Sequence, residues 1–180
     1  MQGRPSPTSR PAVFLDRDGV INCKAPEGDY VKTPAELELL PGVARAIADL
    51  REAGYLVLVV SNQRGVARGL MTEDDLEAVT AAMMGPLVAE GGAPDGVYYC
   101  IHGKEVGCPC RKPRPGLLLA AAEDRAVDLE RSWMVGDRES DVVAGRAAGC
   151  RTILVGGAEG TADVHADDLE EAVGRILDLG

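Results

Sequence analysis

The residues with the clearest capacity for chemistry are two carboxylates, Asp16 and Asp18, which directly follow the apolar run Ala12–Leu15. In an extended chain, side chains two residues apart lie on one side and can face one pocket. One carboxylate can attack phosphorus to form a covalent intermediate, while the other protonates the leaving oxygen and then activates water. Their mutual repulsion requires a cation, and Mg²⁺ prefers such oxygen ligands. A solvated acidic turn is the alternative interpretation.

Two later segments are suited to holding phosphate. Ser61 follows the apolar run 55–60, and its hydroxyl, together with nearby backbone N–H groups, can bind phosphate oxygens. Lys112 lies in the basic segment 111–114 and can neutralise charge on a phosphoryl group during transfer. Each pattern also has an ordinary explanation, because Ser commonly forms turns and a run of bases is often a solvated loop.

A second acidic pair follows the apolar run 133–135. Asp137 lies at the end of this run and Asp141 one helical turn further, on the same side. Asp137 can therefore complete a metal site. Alternatively, the acidic residues only complement the dipole at a helix N-terminus.

Four potential metal ligands lie within eleven residues: Cys100, His102, Cys108 and Cys110. Residues 100 and 102 project to one side of an extended chain, and residues 108 and 110 can form the opposing pair. Three thiolates and one imidazole make a closed tetrahedral set, which is typical of structural zinc. Reduced cysteines packed in a loop are the alternative.

Short β-rich apolar runs alternate with helical stretches along the chain, which predicts an α/β fold with a doubly wound parallel sheet. In such sheets, ligands bind beyond the carboxyl ends of the strands, where these polar segments lie. The predicted strands are residues 12–15, 55–60, 97–101, 133–135 and 152–155. The predicted helices are residues 42–53, 72–90, 115–126, 139–148 and 168–177.

From residue 12 to residue 155 the chain resembles the haloacid dehalogenase (HAD) superfamily of phosphatases. The motifs that carry the resemblance occur in the family's order: FLDRDGV at 14–20, VSNQ at 60–63, RKP at 111–113 and VGDRESD at 135–141. The resemblance implies that Asp16 is the nucleophile and Asp18 the general acid and base. It also implies that Ser61 and Lys112 bind the transferring phosphate, with Asn62 among the phosphate-binding residues.

The same resemblance implies a magnesium site and a domain plan. Asp16, Asp137 and the backbone carbonyl of Asp18 would hold Mg²⁺, with Arg138 and Asp141 in support. Since there is no room for an inserted cap, the chain resembles capless members, in which the zinc-binding loop shapes the substrate site. We expect a disordered leader at 1–11 and one HAD-like phosphatase domain at 12–180, with the zinc loop at 100–114.

A zinc loop on a capless domain is similar to two groups within the superfamily, heptose bisphosphate phosphatases and histidinol-phosphate phosphatases. The stretch 61–69, SNQRGVARG, favours the first group, which predicts removal of the 7-phosphate from D-glycero-D-manno-heptose 1,7-bisphosphate. A second phosphate needs additional counter-charge, and Arg64, Arg68, Arg111 and Arg114 can supply it. The short spacing between His102 and Cys108 instead matches histidinol phosphatases. That activity remains the alternative, as does another phosphatase or phosphotransferase of the superfamily.

The composition of the chain restricts the classes of molecule that it can bind. With 29 acidic and 19 basic side chains the net charge is −10, which argues against a nucleic-acid binder. Apolar runs are far shorter than the ~20 residues needed to span a membrane. We therefore expect a cytoplasmic monomer that acts on a small phosphorylated metabolite, with Mg²⁺ as catalytic and Zn²⁺ as structural cofactor. A scaffold protein that has lost turnover is the non-enzymatic alternative.

Overall fold

The structure, a computed structural model, describes residues 9–180 and is built around one sheet. All neighbouring strands are parallel, and the order is β3-β2-β1-β4-β5-β6. The predicted doubly wound parallel sheet is therefore confirmed. The strands are β1 (Ala12–Leu15), β2 (Leu56–Asn62), β3 (Gly96–Cys100), β4 (Trp133–Gly136), β5 (Arg151–Val155) and β6 (Val164–Ala166).

Helices cover both faces of the sheet. Alternate residues of β1 point to opposite sides, so Val13 and Leu15 join one apolar cluster while Ala12 and Phe14 join the other. The first cluster includes residues of α1, α2 and α5, and the second includes residues of α3 and α4. The helices are α1 (Val43–Glu52), α2 (Glu73–Ala89), α3 (Gly116–Arg125), α4 (Glu139–Ala148) and α5 (Leu169–Leu179).

The two connections that could hold a cap are short. Between β1 and β2 lie a loop, one 3-10 helix (Pro34–Glu36) and α1. Between β3 and α3 lies only the loop that carries the Cys/His cluster, with one 3-10 helix (Lys104–Val106). This end of the sheet is therefore left open to solvent. Within residues 9–180, none of the helices has the length and apolar character required to cross a bilayer.

Apart from shifts of one or two residues at other element ends, three differences from the sequence prediction concern β2, β6 and the leader. Strand β2 runs on to Asn62, so Ser61 and Asn62 are its last residues and do not follow it. Strand β6 was not predicted, because three residues are too few to show a periodic pattern. Of the predicted leader, residues 1–8 lie outside the described residues, whereas Arg10 is already paired with the backbone of Ala126 and Asp128.

Candidate active site and metal centres

Asp16 lies just beyond β1, at the centre of the sheet. Its backbone N–H donates to the carbonyl of Val135 on β4 (3.0 Å), which fixes it between two buried strands. Its Oδ1 accepts from the backbone N–H of Arg17 (2.9 Å). The residue is only 8% exposed, yet it lines the cavity described below. A rigid, largely buried carboxylate is thus presented to the opening.

Lys112 arrives from the loop after β3 and joins the acidic groups. Its Nζ lies 3.0 Å from Asp16 Oδ1 and 2.6 Å from Asp141 Oδ1, and it donates to the carbonyl of Val60 (2.8 Å). Asn62 positions this lysine, since its side-chain amide both donates to and accepts from the Lys112 backbone (3.0 and 3.1 Å). The side chain predicted to bind phosphate therefore holds the lysine that contacts Asp16.

The electrostatics of the cluster show an excess of negative charge. Burial raises the pKa of Asp16, and the charges of Asp141 and Asp18 raise it further against the opposing effect of Lys112. Burial likewise raises the pKa of Asp137, with Asp16 contributing. The pKa of Lys112 is held above its ordinary value because Asp141 and Asp16 outweigh the cost of burial. A further cation would relieve this excess.

Asp137 follows β4 and completes the acidic cluster. Oxygens of Asp16, Asp137 and Asp141 all lie within 4.8 Å of one another. Lys24 makes an ion pair with Asp137 Oδ2, whereas Oδ1 is buried and has no hydrogen-bond partner among the described residues. A side chain at Gly19 would place its Cβ 2.5 Å from Asp137 Oδ2, so only glycine allows this close approach.

Asp141 and Arg138 lie at the start of α4. Asp141 Oδ2 accepts from the backbone N–H of Arg138 (3.1 Å), while its other oxygen pairs with Lys112. Asp141 is 2% exposed, so it acts as a fixed counter-charge for the lysine. The guanidinium of Arg138 lies at the cavity wall.

These groups and Arg138 line an open cavity of about 1000 Å³, together with the four arginines predicted to supply counter-charge, Arg64, Arg68, Arg111 and Arg114. Two of them are engaged: Arg68 donates to the carbonyl of Gly28 (2.7 Å), and Arg114 donates to the carbonyl of Cys108 (2.8 Å). The other two have free capacity, since Arg64 Nε and Arg111 Nη1 are buried without a partner in the described part of the chain. Their positions in the sequence do not show which of these four arginines are engaged and which have an unpartnered nitrogen.

The Cys/His cluster forms a compact set beside this cavity. The Sγ atoms of Cys100, Cys108 and Cys110 lie 3.2–3.6 Å apart, and His102 Nδ1 lies 3.2 Å from Cys110 Sγ. All three cysteines are free thiols. Tetrahedral zinc with bonds of about 2.3 Å to sulfur and about 2.0 Å to nitrogen would space its ligands roughly 3.5–3.8 Å apart. The cluster fits such an ion.

The pKa values of the thiols in this cluster are shifted in different directions. Burial, followed by the thiols of Cys100 and Cys108, raises the pKa of Cys110 to about 12. At Cys108, burial acts in the same direction, but hydrogen bonds with Cys110 and Cys100 outweigh it and lower the pKa to about 7. A divalent cation would allow all three to ionise together.

Sequence reasoning missed the residues that surround Asp18. Its carboxylate is held by Arg17, Asn22 and Gln63, of which Arg17 and Gln63 had been noted only as members of motifs. For Arg17 the sequence offers one signal: it is a charged residue that lies between two acidic residues at the end of a buried strand. Lys24, which pairs with Asp137, carries no comparable signal, since it lies in an ordinary polar loop.

Comparisons with known proteins agree on one family. A family model described as HAD-hydrolase-like matches residues 109–177. The D-glycero-beta-D-manno-heptose-1,7-bisphosphate 7-phosphatase of Rhodopseudomonas palustris is 46% identical over 147 residues, covering 78% of this chain and 80% of the relative. The enzyme of the same name from Pseudomonas putida is 43% identical over 143 residues, covering 79% of this chain and 81% of its own.

A solved structure extends the agreement to three dimensions. The D,D-heptose 1,7-bisphosphate phosphatase of B. bronchiseptica, complexed with magnesium and phosphate, superposes with a TM-score of 0.86 at 35% identity. The match covers 94% of this chain and 99% of that protein. The similarity therefore extends over nearly the whole length of both chains.

Proposed function

The chain belongs to the heptose bisphosphate phosphatases of the HAD superfamily, and we propose that it removes the 7-phosphate from D-glycero-beta-D-manno-heptose 1,7-bisphosphate. The observation that carries the chemistry is the contact between Asp16 and Lys112, 3.0 Å apart at the wall of an open cavity. This contact supports a role for Asp16 as nucleophile, beside a cation suited to a phosphoryl group. The predictions that the chain is a phosphatase and an HAD member are confirmed by the comparisons.

We assign the steps to residues as follows. Asp16 attacks phosphorus, the bond from phosphorus to the sugar oxygen breaks, and Asp18 gives its proton to that oxygen. Asp18 then takes a proton from water as this water attacks the phospho-aspartate, which releases phosphate and regenerates Asp16. Lys112 and the hydroxyl of Ser61 would hold the oxygens of the transferred group, and Asn62 keeps Lys112 in position.

The acidic cluster fits a magnesium ion. The unpartnered Oδ1 of Asp137 and the charge excess around Asp16 both favour a cation there. Asp16, Asp137 and the backbone carbonyl of Asp18 would hold it, supported by Asp141. When bound, Mg²⁺ supplies charge neutralisation between the nucleophile and the incoming phosphate. The magnesium and phosphate of the B. bronchiseptica complex support this proposal.

The second phosphate of the substrate needs its own cationic group. Arg111 and Arg64 are suited to this, because both line the cavity and both have a buried nitrogen with no partner among residues 9–180. A guanidinium binds phosphate through two parallel hydrogen bonds. Arg68 is engaged by the carbonyl of Gly28, which makes it the weaker candidate.

Zinc in the Cys/His cluster would have a structural role. Cys110 directly precedes Arg111 and Lys112, so an ion held by the four ligands determines where both bases point. We propose further that residues 12–180 act as one domain and that the enzyme works as a cytoplasmic monomer. Reduced cysteines in a metal-binding arrangement support the cytoplasmic location.

The experiment that tests this function is a substrate panel assayed with purified protein, Mg²⁺ and zinc. Both anomers of the heptose bisphosphate, other sugar bisphosphates and histidinol phosphate should be compared by kcat/KM. Phosphorus NMR of the product should show loss of the 7-phosphate and retention of the 1-phosphate. A clear preference for histidinol phosphate would replace the proposal with the alternative, and failure to release free phosphate would exclude a hydrolase.

A further inference from the structure

Arg17 is a fully buried charge next to the reacting groups. Its side chain is 0% exposed and it is among the largest completely buried side chains of the described chain. It lies between Asp16 and Asp18 in sequence, but unlike them it does not line the cavity. Burying a guanidinium destabilises the fold unless the group is paired, so the residue that pairs with Arg17 indicates the role of this arginine.

That partner is the carboxylate of Asp18. Arg17 Nε and Nη2 lie 3.2 and 3.0 Å from Oδ1, and Nη2 also lies 3.2 Å from Oδ2. Asn22 adds a donor to Oδ1 (2.9 Å), and Gln63 adds one to Oδ2 (2.8 Å). A carboxylate offers about four acceptor positions in its plane. Nearly all of them are therefore used to fix the orientation of Asp18.

The guanidinium is itself held in place. It lies over the ring of Tyr99, with its central carbon 5.8 Å from the ring centroid. Tyr99 is bonded through its hydroxyl to Thr80 on α2 (2.9 Å) and directly precedes Cys100 of the Cys/His cluster. Gln63 is also anchored, since its Nε2 contacts Ser61 Oγ (3.1 Å). The contacts on Asp18 therefore reach both the phosphate-binding hydroxyl and the metal-binding loop.

We infer that Arg17 is the positioning residue of Asp18: it holds the acid and base in the orientation from which a proton reaches the sugar oxygen. Asn22 and Gln63 complete the same support. The inference rests on the proposed function, since it takes Asp18 as the proton donor. Because Arg17 does not line the cavity, it acts on the chemical step through Asp18 and not on binding.

The test compares Arg17→Met with wild type on two substrates. With heptose bisphosphate the sugar oxygen needs a proton, so kcat should fall on the order of 10²-fold, within the range of general acid catalysis. KM should stay almost unchanged. With p-nitrophenyl phosphate the electron-poor oxygen leaves without a proton, so the first step, followed as the rapid release of p-nitrophenol before the phospho-aspartate is hydrolysed, should slow by less than about tenfold. Equal slowing of the first step with both substrates, or no slowing with either, would overturn the inference.

Three further variants control for the charge of Arg17, for the loss of an arginine elsewhere and for failure of Arg17→Met to fold. Arg17→Lys keeps the charge but lacks the two-pronged contact, so its loss should be intermediate and show the same dependence on leaving group. Arg151→Met removes an arginine stacked on Trp133 (3.9 Å) away from the cavity and should leave kcat unchanged. If Arg17→Met does not fold, Gln63→Leu decides: it should show a smaller loss that is confined to the sugar substrate.

The Asp18→Asn variant distinguishes a failure of this inference from a failure of the proposed function on which it rests. In the Asp18→Asn background, adding Arg17→Met should cost little more, because the group it positions is already lost. If Asp18→Asn slows the first step equally for both substrates, the proposed acid role of Asp18 fails. If Asp18→Asn depends on the leaving group and Arg17→Met does not, or if the two losses are additive, only the positioning role of Arg17 fails.

Discussion

The carboxylate cluster beyond β1 and β4 and the Cys/His cluster beyond β3 both gather side chains that can hold a metal, but their surroundings differ. Asp16, Asp137 and Asp141 are attached to buried strands and to the first turn of α4. Lys112 already compensates part of their charge. The cluster should therefore keep its shape when the metal is removed.

The Cys/His cluster joins the last residue of β3, Cys100, to a loop that is exposed at residues 104–107. His102 is exposed, and between Cys100 and Cys108 the chain forms only one short 3-10 helix. This comparison indicates that a metal would act on charge and chemistry in the first cluster and on structure in the second. The following predictions test that division, from the largest expected effect to the smallest.

Replacing the nucleophile should separate chemistry from structure. Asp16→Asn keeps the shape of the side chain but cannot attack phosphorus, so kcat should fall by about 10³-fold or more. Zinc content and thermal unfolding should match those of wild type. Phosphate release should be measured with protein free of contaminating phosphatase; turnover close to that of wild type would contradict the mechanism.

Removing the central cation should damage both chemistry and structure. Lys112→Met withdraws a donor from the transferred phosphate, so kcat should fall by about 10²- to 10³-fold. It also leaves two buried carboxylates unpaired, and the free energy of unfolding should fall by about 3–5 kcal/mol. Lys104→Met, which removes an exposed lysine, should change that free energy by less than about 0.5 kcal/mol.

The stability loss in Lys112→Met should depend on pH in a defined direction. The pKa of Asp16 is already raised by burial, so the folded state binds more protons than the unfolded state. Stability contributed in this way is present in acid and is lost as pH rises from about 4. Without Lys112 the effect should grow. In metal-free buffer the variant should therefore differ from wild type more at pH 7 than at pH 4, as measured by denaturant unfolding; a constant difference would contradict the charge argument.

Zinc removal tests the structural cluster. Protein purified without added metal should contain about one zinc per chain, whereas weakly bound magnesium should wash out. Stripping the zinc, or making Cys110→Ser, should lower kcat/KM by about 10²-fold, because Arg111 and Lys112 lose their alignment.

The matched control for zinc removal is Cys150→Ala, which changes a buried cysteine outside the cluster and should retain the metal. Proteolysis of the loop should accelerate only in the zinc-free forms. Full activity without zinc, or a disulfide between Cys108 and Cys110, would contradict the site.

The smallest effect concerns the second phosphate. Arg111→Ala should lower kcat/KM for heptose bisphosphate about 10- to 150-fold, the value of a two-pronged guanidinium contact, and matter much less for a monophosphate. Arg68→Ala is the matched comparison, since Arg68 is engaged by Gly28, and its loss should be clearly smaller. Equal loss of both substrates in Arg111→Ala would assign this arginine to the transferred phosphate.

Much of the fold could be predicted because local pattern and architecture agree. Strand β1 and helix α4 have the predicted bounds, since a continuous apolar run and a helix ended by Gly149 are strong local signals. Among the strands of residues 9–180, the three-residue strand β6 was missed, because its formation depends on pairing with β5. The four ligands of the Cys/His cluster were found because they lie close together in the chain.

The sequence by itself determined which residue types follow each strand, and the sheet then gathers their side chains at one edge, as parallel strands must. Tertiary structure alone decided which neighbours each side chain meets. It bonds Arg68 to the carbonyl of Gly28 but leaves Arg111 Nη1 without a partner among the described residues. It also turns Asn62 towards Lys112 and buries Arg17 against Asp18. The physical reason is that hydrogen bonds and ion pairs depend on distances of about 3 Å between residues far apart in the chain, which no local pattern specifies.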